Sequence, residues 1–111
     1  SASALVEEEY VDAVTLSASQ TNTVASGLSF ALASFEGAEI TYKIKSNGEV
    51  RIGTMRVVTD GTSAFLQDMY SDTDDIDMSF SADVSSGDVR ILYTSGVNAG
   101  TMRADVKRIR V

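Results

Sequence analysis

The sequence predicts an all-β protein: an antiparallel β-sandwich or a jelly-roll-like fold of eight or nine short strands with an extended N-terminal arm. Two observations lead to this class. From residue 40 onward, segments that alternate apolar and polar residues are separated by turn signals at regular spacing. No segment of ten or more residues has a helical period. The clearest strand covers residues 76–84, and strict alternation of this kind is typical of a strand with one buried and one solvated face. Its apolar positions are Ile76, Met78, Phe80, Ala82 and Val84.

The first third of the chain is predicted to contain an arm and two strands. Residues 1–12 are too few to hold a helix alone, so we expect them to form the arm, and residues 13–111 to form a single domain. A first strand is predicted over residues 10–17, where it continues from the arm. After a polar turn, a second strand is predicted over residues 24–32, with Gly27 interrupting it.

The strongest local prediction is a hairpin centred on Asn47 and Gly48. Apolar alternation flanks this dipeptide on both sides, and both of its residues accept the positive φ angles that a two-residue turn requires. On the return strand, Ile52 is predicted to be buried. Gly53 then indicates either a β-bulge or a close approach of another group to the backbone. Beyond it the buried phase is predicted to shift by one residue, to Met55.

The remaining elements follow at similar intervals. Asp60 and Gly61 predict a tight turn, and a short strand is expected from Ala64 to Tyr70, followed by an acidic loop at 71–75. After the strand at 76–84, the pattern predicts a turn at 85–88, a strand at 89–93, a turn at 95–100 and a last strand from residue 102.

Composition excludes several classes of function. The 111 residues include no Cys and no His, which removes disulfides, zinc fingers, thiol catalysis and Ser-His-Asp triads. The net charge of −7 and the pI near 4.3 disfavour binding to nucleic acid or to an anionic membrane, and no stretch is apolar enough to span a bilayer. A glycosidase needs two carboxylates at a set separation, and Asp68 and Asp72 with Glu49 are candidates for them. However, 16 acidic residues make chance pairs certain. We therefore expect no enzymatic activity.

One dense carboxylate cluster is the only candidate metal site. Its members are Asp72, Asp74, Asp75 and Asp77. Alternating carboxylates in a loop can supply several of the six to eight oxygens that Ca²⁺ prefers, although the EF-hand spacing is absent. The alternative is a solvated acidic loop, since Asp also favours turns. Apart from Ca²⁺ at this cluster, no cofactor is expected.

Opposite charges are concentrated at the two ends of the chain and mark a candidate partner interface. The charged residues are Glu7, Glu8, Glu9, Arg103, Lys107, Arg108 and Arg110, and the predicted interface also includes Tyr10, which follows the three Glu residues. These charges can pair within one chain, if the terminal strands are neighbours, or between neighbouring subunits. Because exposed ion pairs contribute only about 0–1 kcal/mol each, their main effect would be on orientation and partner choice.

The part of the chain after Ile40 resembles a module of virion surface proteins of tailed bacteriophages, found in tail-fibre-like proteins. The resemblance begins with an Arg and a Gly-Thr before an apolar strand, followed by an Asp-Gly turn, all within Val50 to Thr62. An Asp-x-Tyr comes next, at Asp68 to Tyr70. An acidic stretch follows, then a strand (Met78 to Ala82) and a later Tyr-Thr-Ser (Tyr93 to Ser95). The resemblance covers about two-thirds of the chain. Its motifs are turn and strand signatures, and they carry no catalytic residues.

The resemblance implies a non-enzymatic β-sandwich at the virion surface that forms a homo-oligomer, with a trimer as one candidate. The expected partners are its own copies and a major capsid or tail protein. A small freestanding module favours a capsid decoration or cement protein. The alternative is a tail-fibre module or tip domain that binds a host-surface glycan or receptor. Such a site would need an exposed Tyr beside acidic groups, as in Tyr70 with Asp68 and Asp72.

Overall fold

The computed structural model describes residues 4–111, which form nine strands in two antiparallel sheets and thus confirm the predicted all-β class. The strands are β1 (Val6–Leu16), β2 (Thr23–Val24), β3 (Phe30–Ala31), β4 (Phe35–Ser46), β5 (Glu49–Thr59), β6 (Ala64–Asp72), β7 (Met78–Ser85), β8 (Asp88–Ser95) and β9 (Gly100–Arg110). Five of them have nine to twelve residues and are longer than predicted. Within residues 4–111 there is no helix with the length and hydrophobicity needed to cross a bilayer.

The two sheets stack around one hydrophobic core. The first sheet has the order β1-β9-β4-β5-β6, and in the second sheet β8 is central, with β7 along one side and β2 and β3 along the other. The chain passes between the sheets four times, at β1–β2, β3–β4, β6–β7 and β8–β9. Every second residue of the long strands faces the other sheet, and these positions supply most of the buried side chains.

The β4–β5 hairpin forms as predicted, with Asn47 and Gly48 at φ angles of 50° and 80°. The predicted phase shift at Gly53 is wrong, because the pairing of β5 with β4 and with β6 runs through Gly53 without a bulge. Odd-numbered residues face the core along all of β5. Consequently Arg51 is fully buried, whereas Ile52, predicted to be buried, is 55% exposed.

The single strand predicted over residues 24–32 is replaced by the two short strands β2 and β3. Gly27, at a φ of 87°, turns the backbone between them, and a Cβ there would lie 3.2 Å from the Val11 side chain. Ala25 and Leu28 are completely buried in this segment. The backbone therefore leaves strand geometry to bury these two side chains beneath the first sheet.

Most of the predicted arm belongs to strand β1. Residues 1–3 lie outside the described residues, and from Val6 onward the chain pairs with β9 at the edge of the first sheet. The pairing is irregular only between Val11 and Val14, where Ala13 adopts a φ of 81°. This irregularity does not end the strand, because β1 continues to Leu16 with the same partner strand.

Candidate functional site

The charged residues at the two chain ends face each other across β1 and β9. The antiparallel register aligns them into four ion pairs within the chain. These are Glu7–Arg110 at 2.7 Å, Glu8–Lys107 at 3.8 Å, Glu9–Arg108 at 2.6 Å and Asp12–Arg103 at 2.8 Å. Tyr10, in the same strand, is 60% exposed and its hydroxyl donates to Asp12. Of the two arrangements considered from the sequence, pairing within one chain is the one found, and use of these residues for a partner stays a prediction.

Arg108 differs from the other members because its side chain is buried. One guanidinium nitrogen donates to Glu9 at 2.6 Å, and the other donates to the main-chain carbonyls of Gly27 and Ser29, each at 3.2 Å. We call these groups the Arg108 cluster. It connects β1 and β9 of the first sheet to the segment between β2 and β3, so Arg108 stabilises the contact between the two layers.

An equivalent cluster surrounds Arg51 near the opposite edge of the first sheet. Its guanidinium donates to both carboxylate oxygens of Asp72, at 2.6 and 3.1 Å, and to the carbonyls of Ile76 and Met78, each at 2.8 Å. The ring of Tyr70 covers it, with its centroid 3.7 Å from Cζ. This Arg51 cluster attaches the β6–β7 connection to β5. Arg51 was not predicted as a buried residue from the sequence, although its position two residues before Gly53, in phase with Met55, was a usable signal.

Next to the Arg51 cluster, Tyr42 and Asp68 form a hydrogen-bonded polar pair. The Tyr42 hydroxyl donates to Asp68 at 2.7 Å, and its ring packs against Phe80 of β7. Burial raises the pKa of Asp68, and burial together with the Asp68 carboxylate raises the pKa of Tyr42. The hydroxyl therefore remains a hydrogen-bond donor, and Tyr42 of β4 contacts both Asp68 of β6 and Phe80 of β7.

Gly53 is required because the Tyr42 ring lies directly over it. A Cβ at this position would be 2.7 Å from both Cζ and the hydroxyl oxygen of Tyr42 and 2.8 Å from Cβ of Tyr70. Of the two explanations that the sequence left open for Gly53, the close approach is correct. The absent side chain allows Tyr42 to reach across β5 to Asp68.

Gly53→Ala is expected to lower the free energy of unfolding by about 1–2 kcal/mol, because the added methyl group displaces Tyr42 from Asp68. Urea denaturation followed by circular dichroism measures the change. In a Tyr42→Ala background the same substitution should cost clearly less, since the colliding ring is gone. Equal costs in both backgrounds would contradict the steric explanation.

Asp72 is expected to make stability depend on pH. The hydrogen bond from Arg51, opposed in part by burial, holds the pKa of Asp72 below its usual range. A carboxyl whose folded-state pKa is lowered stabilises the fold above its unfolded pKa, and this contribution is lost as the pH falls through the folded value. Burial has the opposite effect at Asp68, whose raised pKa favours folding at lower pH.

We therefore expect the free energy of unfolding to fall less steeply below about pH 5 in Asp72→Asn than in the unsubstituted protein. Urea midpoints at a series of pH values between 3 and 7 give this slope. Asp74→Asn is the control, because the Asp74 carboxylate accepts only the amide of Asp75. A slope unchanged in Asp72→Asn would show that Asp72 is not the group responsible.

Two of the four carboxylates considered as a calcium site make other contacts within the chain. Asp72 is bound to Arg51 and to the amide of Ile76, while Asp74 accepts the amide of Asp75. Across residues 4–111, no three potential metal-ligating side chains lie close enough to hold an ion. Asp68 and Asp72, considered with Tyr70 for a receptor site, are likewise bonded within the chain, to Tyr42 and Arg51.

The outward face of β5 and β6 carries a set of exposed apolar side chains that we call the apolar strip. Its members and their exposed fractions are Ile52 (55%), Val58 (56%), Phe65 (59%) and Met69 (75%). Val58 lies directly opposite Phe65 in the register, and a groove of about 570 Å³ borders this pair. Exposed apolar patches of this kind are typical of protein–protein contacts. The strip was not predicted from the sequence, because Ile52 was expected to lie in the core.

The fold is similar to part of a phage tailspike protein. No protein-family model and no curated protein matches the chain. Among solved structures, the tailspike protein of Acinetobacter baumannii phage AM24 matches over 96% of this chain, with a TM-score of 0.54 and 7% sequence identity. The similarity at this identity concerns the fold. The chain spans only 26% of that tailspike, in which the shared fold is therefore one part of a longer polypeptide.

Proposed function

We propose that this chain is a non-enzymatic structural module of a tailed-phage virion, carried by a tailspike or tail fibre and exposed at the particle surface. The observation that carries the proposal is the fold shared with about a quarter of a phage tailspike chain. The sequence resemblance to tail-fibre-like modules supports the same role independently. In this role the domain would form a homo-oligomer and bind a tail protein.

The architecture suits a module that must keep its shape under mechanical load or that spaces other domains. Both sides of the sandwich are held by a buried arginine that joins a carboxylate to two carbonyls of the facing layer. Such multiply bonded charges make local separation of the layers costly, because each would be left unpaired. The protein reaches this arrangement without cysteine, so its stability does not depend on an oxidising environment.

Capsid decoration is the second candidate, and it was the first expectation from the sequence. The apolar strip suits a cement protein as well as a tail module, because both must bury surface against neighbouring subunits. The tailspike neighbour favours the tail, which reverses the order of the two candidates.

Immunogold electron microscopy tests the location. Antibodies raised against the purified domain would be applied to particles of a phage whose genome encodes the chain. Label on the tail is expected, label over the capsid would favour decoration, and particles without label, with the antibody proved on the denatured virion proteins, would overturn the virion role.

A further inference from the structure

We propose that a second copy of this chain docks face to face on the apolar strip, so that the outward faces of β5 and β6 of the two copies stack against each other. A two-fold axis relates the copies; it lies between the stacked sheets, parallel to their planes, and crosses their strands. The charge distribution of the first sheet, the groove beside the strip and the exposed apolar area support this arrangement, whether or not the chain belongs to a virion.

The outward face of β5 and β6 is the part of the first sheet that carries the least charge. Over residues 50–58 and 64–72, Arg56 is the one charged side chain on this face, and it is paired with Glu39 of β4. By contrast, the outward side chains of β1 and β9 are largely charged. Stacking removes water from the side chains between two sheets, so a face with little charge costs the least to cover.

The same face carries an apolar projection and an apolar groove at equal distances from its middle. On β5, Ile52 lies three residues before Met55 and Val58 lies three residues after it. The groove of about 570 Å³ lies beside Val58 and is also lined by Phe65 and Ile109. A two-fold axis that crosses the strands at Met55 places Ile52 of each copy over the groove of the other. The two contacts are then identical, as an interface between equal surfaces requires.

The charges of the neighbouring strand β4 favour the same axis. Lys43 and Glu39 are outward residues of β4 and lie on opposite sides of Ile40, which pairs with Met55. Glu36 lines the groove at the Glu39 end. Rotation about the proposed axis therefore brings Lys43 of one copy between Glu36 and Glu39 of the other. An axis along β5 would instead place β4 opposite β6, whose outward side chains carry no charge.

The exposed apolar area agrees with the size of a stable dimer interface. With roughly 150–250 Å² for a fully exposed large side chain, the four members of the apolar strip present about 400–600 Å². A standard interface buries about 800 Å² per partner, of which a little over half is apolar, or about 450 Å². All four members lie on one face, so face-to-face stacking covers them together.

The first test is the mass of the purified protein by light scattering at several concentrations. We expect a dimer, and we expect Ile52→Lys to shift it to monomer, because stacking would bury the added charge without a partner. Ile52 is 55% exposed, so the substitution spares the core, and circular dichroism verifies the fold. Met69→Lys, at a position that is 75% exposed, gives the same test if Ile52→Lys does not fold.

Val24→Lys is the matched control for the first test. Val24 is an exposed apolar residue of β2, in the second sheet, so the same chemical change occurs away from the proposed interface. This variant should remain dimeric. A monomeric or trimeric parent protein, or an Ile52→Lys variant that folds and stays dimeric, would overturn the proposal.

The second test uses the absence of cysteine in the chain. Thr54 lies on the outward face of β5 next to Met55, so two copies of it are separated chiefly by the roughly 10 Å between stacked sheets. Thr54→Cys should therefore form a cross-linked dimer with a short bismaleimide. Ser81→Cys, on the exposed side of β7 in the second sheet, should not. Cross-linking of Ser81→Cys alone would place the interface on the second sheet and contradict the proposal.

The third test examines the orientation of the two copies by exchanging charges. Lys43→Glu should raise the dimer dissociation constant about tenfold, because two symmetry-related contacts become repulsive. Adding Glu36→Lys to the same chain should restore the affinity. A double variant as weak as Lys43→Glu would refute the proposed axis. A stable dimer whose antibodies label no particle would leave this inference intact and overturn the virion role, whereas a monomer found on the tail would do the reverse.

Discussion

Arg51→Met is expected to lower the free energy of unfolding by about 3–5 kcal/mol, the largest effect of any single substitution proposed for this chain. The substitution retains an unbranched side chain of similar length but leaves Asp72 and the carbonyls of Ile76 and Met78 without their donor. Removal of one partner from a buried charge pair typically costs this much, because the other charge stays desolvated and unpaired. Equilibrium denaturation in urea, followed by far-ultraviolet circular dichroism, measures the loss.

Arg56→Met is the matched control for this experiment. Arg56 lies on the same strand, but its side chain is 75% exposed and its contact with Glu39 is 3.6 Å long. Its replacement should change stability by less than about 0.5 kcal/mol. If Arg51→Met does not fold, Asp72→Asn tests the same cluster with the shape preserved. Similar losses for Arg51→Met and Arg56→Met would mean that the Arg51 cluster does not stabilise the sandwich.

Arg108→Met is expected to cost about 2–3 kcal/mol. The substitution removes the donor to two main-chain carbonyls, those of Gly27 and Ser29, and to Glu9. The expected loss is smaller than at Arg51 because Glu9 is half exposed and can be solvated after the change, whereas the carbonyls are left with fewer partners. Urea denaturation under the conditions used for Arg51 gives a direct comparison.

The control for Arg108 is Arg103→Met, on the same strand and in the same set of ion pairs. Arg103 and Asp12 are both substantially exposed, at 47% and 67% of their side-chain surface. Such pairs contribute about 0–1 kcal/mol, so this variant should remain close to the parent protein. Equal losses at the two positions would indicate that the exposed ion pairs between β1 and β9 also stabilise the fold, and not the buried Arg108 alone.

The two arginine clusters share one plan. In each, the arginine lies on the strand next to a sheet edge, its carboxylate partner lies on the edge strand, and its carbonyl partners belong to the segment that faces the sheet. A guanidinium group has five donors in a fixed plane, so it can bind a carboxylate and two carbonyls at once. Lysine at either position would therefore be a poor substitute.

Several local features could be predicted from the sequence because they depend on adjacent residues. The Asn47-Gly48 turn and the turn at Gly61 are properties of short segments, and the structure contains both. The alternating strand predicted over residues 76–84 is also present, although it begins at Met78 and Ile76 lies in the preceding connection. Their abundance and regular spacing were sufficient for the all-β class. The absence of His and Cys limited the candidate chemistry in the same direct way.

The errors arose where contacts from a distant strand determine the outcome. Ile52 and Met55 are both apolar, and the sequence pattern alone cannot decide which one faces the core without knowledge of the pairing partners. Gly53 was correctly marked as unusual, but its reason, the Tyr42 ring above it, comes from another strand. The strand predicted at residues 24–32 ended early because Ala25 and Leu28 are buried beneath the first sheet.

The sequence by itself determined the β class, the main turns and the opposite charges at the two ends of the chain. Only the tertiary structure decided that those charges pair within one chain, that Arg51 and Arg108 are buried, and that Ile52, Val58, Phe65 and Met69 share one exposed face. The physical reason is that alternation and turn preference act over a few residues. Burial and ion pairing instead depend on strand neighbours that are 21 to 103 residues apart in these clusters.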